Sequence, residues 1–550
     1  MLSLTTMRKY SHLLTIGRSK ALSILNNIWV HESCFIRSHH HILRHPQPPP
    51  PPPSATVNHH HLHNNFSTVS HYYHNHHHNA QLSTFHTLQL SNHEGKSPLD
   101  YQVTVKDKDV ISASHAPAHE YWLPQSNLDL LLPPLDAGVF FCYKKKDDTT
   151  VMSPETVVKT IKKSLGGVLS IFYPLAGEIV SNSQGEPEVL CNNSGVEFVH
   201  AHADVELKTL DLHHPDETVS GKLVPKINRG VLAVQVTELK CGAIIVSCAF
   251  DHRVADGYSL DMFLVAWAEF AQFKRISNTP SFRRSILNPR RPPHYNAIFD
   301  NMYLPLSSLP PPPSCEDQLH SRIYYIQQES LNRLQSEASS KETRISKFQS
   351  LTAFIWKLFA HEADNDVNQT SRMGVVVGGR RFMTGNSEKE SSMLENHFGN
   401  ILSIPYGKMN YSCLQTMSLN EVANEVHSFV TEATTEEHFR GLVDWVELHR
   451  PEPAVAKIYF KLQETDGDAI VASSGQGLPI NDMNFGWGKP EFGSYHFPWG
   501  GQTGYIITMP SASKNGDWVV YMHLKQKHLD LIEKNTPYVF NPLTHYYLRL

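Results

Sequence analysis

No stretch of this 550-residue chain is apolar over the ~18 residues that a membrane-spanning helix needs. The strongest candidate, GVLSIFYPLAG, is short and interrupted by a proline. An excess of positive charge is also missing. The formal net charge is −5, so the chain has no global basic field of the kind nucleic-acid binders carry. CxxC pairs are absent as well. The seven cysteines, Cys34, Cys142, Cys191, Cys241, Cys248, Cys315 and Cys413, form an odd, unpatterned set. That argues against a disulfide framework or a zinc ribbon and for a reducing compartment. No internal repeat recurs at a fixed period of 20–50 residues. What remains is a chain long enough for two or more globular domains.

Composition divides it. Residues 1–98 hold about half of the 35 histidines, in clusters such as HHHLH and HYYHNHHH, and the proline run Pro48 to Pro53. Such a segment cannot bury enough apolar surface to offset its ordering entropy, so disorder is expected. A disordered histidine tract has no fixed coordination geometry, and no metal site is expected there. The first thirty residues contain Arg, Lys and Ser but no acid until Glu32, in the manner of an organellar transit peptide. A free tail or an unused upstream extension of the gene reads equally. Ordered sequence is expected from YQVTVKDKDVISAS onward, with one domain over 99–279. A Pro-rich crossover follows over 280–318, containing NPRRPPHYN and LPLSSLPPPPSCED, and a second domain covers 319–550.

The chemistry concentrates in AFDHRVADGYS, Ala249 to Ser259. The preceding GAIIVSC predicts a buried strand, and the following LDMFLVAWAEF predicts a helix packed by one face. His252 and Asp256 therefore fall in a strand-to-helix turn, where a rigid sheet presents groups to a cleft. Three readings compete for them. A zinc site would need a third ligand from elsewhere, since only one histidine is present. A satisfied structural histidine is the bland reading. In the third, a neutral imidazole accepts a proton from a hydroxyl or amine, and Gly257 permits the tight turn. A second feature is NDMNFGWGKP, which groups Asn484, Phe485, Gly486, Trp487 and Gly488. Its glycines allow close backbone approach, and the indole offers one N–H donor.

Over roughly 100–550 the sequence resembles the plant BAHD acyltransferases. The resemblance rests on an ordered set: FYPLAGE (Phe172 to Glu178), the HxxxDG motif HRVADG, SKFQSLTAFIWK (Ser346 to Lys357), HFGN (His397 to Asn400), and NFGWG in place of DFGWG. HxxxDG alone is shared with chloramphenicol acetyltransferases, dihydrolipoyl acyltransferases and peptide-condensation domains. The resemblance implies an α/β fold of two chloramphenicol-acetyltransferase-like domains. Each is a mixed sheet flanked by helices, and a long crossover loop joins them across a channel. It implies transfer of an acyl group from acyl-CoA, a co-substrate and not a bound cofactor, to a small alcohol. His252 would be the general base, Asp256 a structural support through an ion pair, and Trp487 an oxyanion donor. Ser346, Lys347 and Arg380 are candidates for binding CoA. Asn484, Phe485, Gly486 and Gly488 would be structural.

Two departures from the family pattern matter. Asn484 replaces an aspartate that pairs with an arginine, and Arg380 is the expected partner. Gly477, in QGLPIND, stands where members acting on shikimate resemble one another in an arginine that grips the acceptor carboxylate. An uncharged acceptor is expected from that glycine, and the stretches EYWLPQSNLDLLLPPLDAGVFFCY and FGSYHFPWGG resemble the subgroup acting on coniferyl alcohol and similar phenylpropenols, which would lie against Phe492 and Tyr495. The alternatives are N-acylation of an amine, a catalytically silent member acting as a partner protein, and a structural histidine in an unrelated fold. A cytosolic monomer is expected, with plastid or mitochondrion as the alternative if residues 1–30 are a transit peptide.

Overall fold

The apolar run that ends in Asp251 is a strand with every residue buried, which accounts for its lack of alternation. It belongs to a computed structural model that describes residues 101–115, 119–145, 153–309, 318–362, 369–385 and 387–548. The expectations for residues 1–98 and for the proline run at 310–313 lie outside the described residues.

The principal strands are β1 (Val103–Ile111), β2 (Asp136–Tyr143), β3 (Val196–Ala203), β4 (Leu232–Leu239), β5 (Ile244–Asp251), β6 (Leu319–Ile326), β7 (Thr370–Val375), β8 (Tyr406–Asn410), β9 (Asp466–Ser474), β10 (Phe492–His496), β11 (Gly504–Pro510) and β12 (Trp518–Lys525). They build two large mixed sheets. The first runs β1-β3-β4-β5-β2-β10, with β3 and β4 parallel and the other pairs antiparallel. The second runs β8-β7-β9-β11-β12-β6, extended at its far edge by Asn541–Pro542. Parallel pairing joins β7 to β9 and β9 to β11. Each sheet has its own core cluster. β10, from the 319–550 stretch, is an edge strand of the first sheet, paired with β2 from Phe492↔Cys142 to His496↔Gly138.

Helices cover the sheets. α1 (Pro154–Leu169) and α2 (Gly257–Ala271) pack on one another. Gly167 lets the Phe270 ring lie against its backbone, and the Trp267 indole donates to Ser164 Oγ at 3.0 Å. On the second sheet lie α3 (Gln328–Ala338), α4 (Lys347–Phe359) and α5 (Leu419–Glu432), with α6 (Glu436–His449) in the same core. The described part of 280–318 is fastened to the second half. Arg284 donates to the Phe398 carbonyl at 2.5 Å, and Arg290 pairs with Asp444 at 2.5 Å. No helix among the described residues is long and apolar enough to cross a membrane.

Candidate active site

β5 ends at Asp251 and α2 starts at Gly257, so His252 sits in the turn between them. Its backbone N–H donates to the Leu135 carbonyl at 2.8 Å, and its ring is half-buried. Nδ1 lies 3.2 Å from Asn400 Oδ1. The rest of the Asn400 carboxamide settles which way it faces. Its Nδ2 is surrounded by acceptors: Asp129 Oδ1 at 2.9 Å, the His252 carbonyl at 2.9 Å and the Arg253 carbonyl at 3.3 Å. The oxygen must therefore point to the imidazole, which places the ring proton on Nδ1 and leaves the Nε2 lone pair free to accept one. Asp129, 1% exposed, is itself fixed by Ser126, whose N–H and Oγ donate to Oδ2 at 2.9 and 2.7 Å. The Phe497 ring is 6.3 Å from the imidazole.

Asp256 serves a different purpose. Oδ1 accepts the Ser259 N–H at 2.9 Å, capping α2. Oδ2 pairs with Arg380 at 2.6 Å and accepts the Ile401 N–H at 3.2 Å. Arg380, 8% exposed, also donates to Ser259 Oγ and to the carbonyls of His397 and Gly399. Each of its three nitrogens donates to a group that braces the turn, the role the structure gives this candidate for CoA binding. Its expected pairing with Asn484 is corrected, because its carboxylate is Asp256.

Asn484 works locally. Its Oδ1 accepts the N–H groups of Gly486 and Gly488, each at 2.9 Å. Those glycines hold φ of +116° and +112°, which side-chain-bearing residues rarely adopt. An amide oxygen meets this need as a carboxylate would, so the change from Asp removes no ion pair with Arg380. Phe485 and Trp487 fill the first core, where they stack on one another and meet Tyr143 edge-on. Tyr143 pairs with Ile244 at one end of β5, and His252 follows the other end. Seven strand residues separate those ends by about 23 Å. The oxyanion role expected of Trp487 is therefore corrected: its indole packs at the far end of the strand.

Ser346 caps α4 in a capping box with Gln349, and Lys347 opens that helix. Neither makes a contact with His252 or Asn400 among the described residues. Phe492, 2% exposed, packs on Phe140 in the core. Tyr495 donates to Asp261 Oδ1 at 2.7 Å. Burial pushes the Asp261 carboxyl up to about 8; the Tyr495 hydrogen bond opposes this, and the nearby negative Asp256 adds to it. Among the described residues no three metal-ligating side chains cluster. Sequence reasoning did not nominate Asn400, Asp129 or Asp261. Asn400 lay in the quoted HFGN stretch, the one signal that pointed to it.

A half-buried histidine with a free Nε2, oriented by a carboxamide between two sheets, is the equipment of a base-catalysed acyl transfer. The sequence model of the transferase family matches residues 101–538. The chain belongs to that family, the plant BAHD acyltransferases, and is a CoA-dependent acyltransferase. It is 25% identical over 453 residues to a hydroxycinnamoyltransferase of Narcissus pseudonarcissus, covering 78% of this chain and 98% of that one. Vinorine synthase shares its fold at a TM-score of 0.59 and 21% identity, over 78% of this chain and 97% of the other. So does TRI101 of F. graminearum, solved with coenzyme A and T-2 mycotoxin, at 0.62 and 14%, over 76% and 98%.

Proposed function

We propose that the protein transfers an acyl group from CoA to a hydroxyl of a neutral, phenylpropenol-type alcohol, with His252 as general base. The observation that carries this reading is the Asn400–His252 hydrogen bond, which leaves Nε2 as the proton acceptor. The acceptor O–H gives its proton to Nε2 as its oxygen bonds to the thioester carbonyl carbon. The tetrahedral intermediate then collapses, the C–S bond breaks, and the imidazolium returns the proton to the CoA thiolate. A thioester is already activated, so a positioned base and an ordered acceptor suffice without an acyl-enzyme. The neutral acceptor is supported by Gly477, which offers no cation to a carboxylate. A hydroxycinnamoyl group is the donor favoured by the likeness to the Narcissus enzyme. Ser346 and Lys347 are proposed to face CoA, the two acyltransferase domains are taken as 99–279 and 319–550 with β10 lent by the second to the sheet of the first, and a cytosolic monomer is the working state.

The test is to supply the purified chain with hydroxycinnamoyl-CoA and short-chain acyl-CoAs, with coniferyl alcohol, shikimate or an amine, and to follow thiol release and ester mass. Ester on coniferyl alcohol is expected, and His252→Ala should lower turnover about 10²–10⁴-fold. Near-wild-type turnover in that variant would remove His252 from the chemistry. Dominance of the shikimate ester would overturn the acceptor.

A further inference from the structure

Asp261 is an acid in the first half of α2, whose buried face is Leu260, Met262, Phe263 and Leu264. One of its oxygens is used: Oδ1 takes the Tyr495 hydroxyl hydrogen at 2.7 Å. The other borders an opening. A Cβ built on Gly477 would stand 3.3 Å from Oδ2, and Gly477 is exposed, so nothing fills that side. Gly257 likewise leaves room beside the Tyr495 hydroxyl, where a Cβ would stand 3.5 Å away. No Lys or Arg forms an ion pair with Asp261 among the described residues, and Asp256 adds a second negative charge nearby. The place is also tied to the base. Tyr495 and Phe497 are two residues apart, about 7 Å along extended chain, and the Phe497 ring is 6.3 Å from the His252 ring. On the proposed reading, an aromatic acceptor with its reacting hydroxyl at His252 extends past Phe497 toward Tyr495.

We infer that Asp261, held by Tyr495 beside the open Gly477, is a specificity-determining group of the acceptor site: it exchanges a hydrogen bond with a phenolic hydroxyl of the acceptor. Charged, Oδ2 accepts that bond; neutral, the carboxyl donates it. The inference deepens the proposed phenylpropenol reading and rests on it.

The experiment compares coniferyl alcohol with its 4-O-methyl ether, which lacks the phenolic hydrogen, in the full chain and in Asp261→Ala and Asp261→Asn. The wild type should favour the phenol about tenfold in kcat/KM. Asp261→Ala should bring the ratio near one, mainly through KM, while Asp261→Asn, which still exchanges a hydrogen bond, should retain the preference. An unchanged ratio in folded Asp261→Ala overturns the inference. A second arm uses Gly477→Arg. Alone it should not improve shikimate turnover, because the guanidinium pairs with Asp261; combined with Asp261→Ala it should raise that turnover at least tenfold. A gain from Gly477→Arg alone also overturns the inference. If both alcohols fail and tyramine is acylated, the O-acylation reading falls. Tyramine against its methyl ether then decides Asp261 by the same ratio. If no acceptor is acylated, both readings fall.

Discussion

Asn400 supplies the hydrogen-bond acceptor that fixes the His252 tautomer, and Asp129 fixes Asn400. A neutral carboxamide next to the ring does not stabilise the imidazolium as a carboxylate would, so its contribution is orientation and choice of nitrogen. Asn400→Ala should therefore lower kcat about 10–100-fold with KM little changed, measured by thiol release at saturating acyl-CoA. A fall in KM affinity with intact kcat would show that Asn400 binds substrate instead. Asp261 makes a prediction about stability. Its nearest named groups are the Tyr495 hydroxyl and Asp256. The folded chain keeps the Asp261 proton up to about pH 8, whereas the unfolded chain releases it near pH 4. Between those values the folded state holds the extra proton, so this group's contribution to stability falls as pH rises. Asp261→Asn should thus gain stability relative to the wild type between pH 5 and pH 8, read from urea midpoints. A difference that stays constant over that range contradicts the raised carboxyl. His252 was legible in sequence because its signal is local: a strand, a turn and a helix within a few residues. Its supports were not. Asn400 is 148 residues from His252, and Asp129, on the other side of His252 in the chain, is 271 residues from Asn400. Spacing along the chain carries no trace of such contacts.

Two separable interactions of Asp256 help to hold the turn between β5 and α2. One caps the helix at Ser259 N–H, and the other pairs with Arg380, 124 residues away and nearly buried. Removing one partner of a buried pair costs about 3–5 kcal/mol, because the remaining charge is left without compensation. A lost cap costs about 1 kcal/mol. Asp256→Asn keeps an oxygen for the cap and loses the charge; Asp256→Ala loses both. Both variants should be strongly destabilised, with Asp256→Ala worse by about 1 kcal/mol, as read from denaturant midpoints at constant m. Equal stability in the two would mean that the cap contributes nothing. The NFGWG turn shows where sequence comparison misled. An Asp-to-Asn change suggests a lost ion pair, but the side chain serves the N–H groups of Gly486 and Gly488, for which either oxygen suffices. Element types were legible: β5 and α2 fall where the apolar run and the helical periodicity place them. The company each strand keeps was not, because nothing local to FGSYH distinguishes an edge of the first sheet from one of the second.

That strand determines how the two halves depend on one another. β10 closes the edge of the first sheet by pairing with β2, and the residues just before it, Phe485 and Trp487, fill the first core. Tyr143 donates to the Met483 carbonyl at 2.8 Å, the His252 ring meets Asn400, and Asp256 meets Arg380. A fragment ending at 318 would expose the edge of β2, leave its core without those aromatics, and leave Asp256 charged and unpaired. An unpaired, apolar edge strand is an aggregation template. Residues 99–318 produced alone should therefore be insoluble or lack near-ultraviolet circular dichroism, while residues 99–550 fold and retain the specific activity of the full chain. The second expectation draws on the family match, which begins at Tyr101. The longer fragment should also unfold in one transition, with tryptophan fluorescence and far-ultraviolet dichroism coinciding, since β10 and the Asp256–Arg380 pair couple the sheets. The decisive measurement is the N-terminal fragment. If it folds as a soluble unit with native-like protection of the β2 amides from hydrogen exchange, β10 is an accessory strand. The catalytic turn would then be built by the first half alone, and only the orientation of His252 would be left to the second.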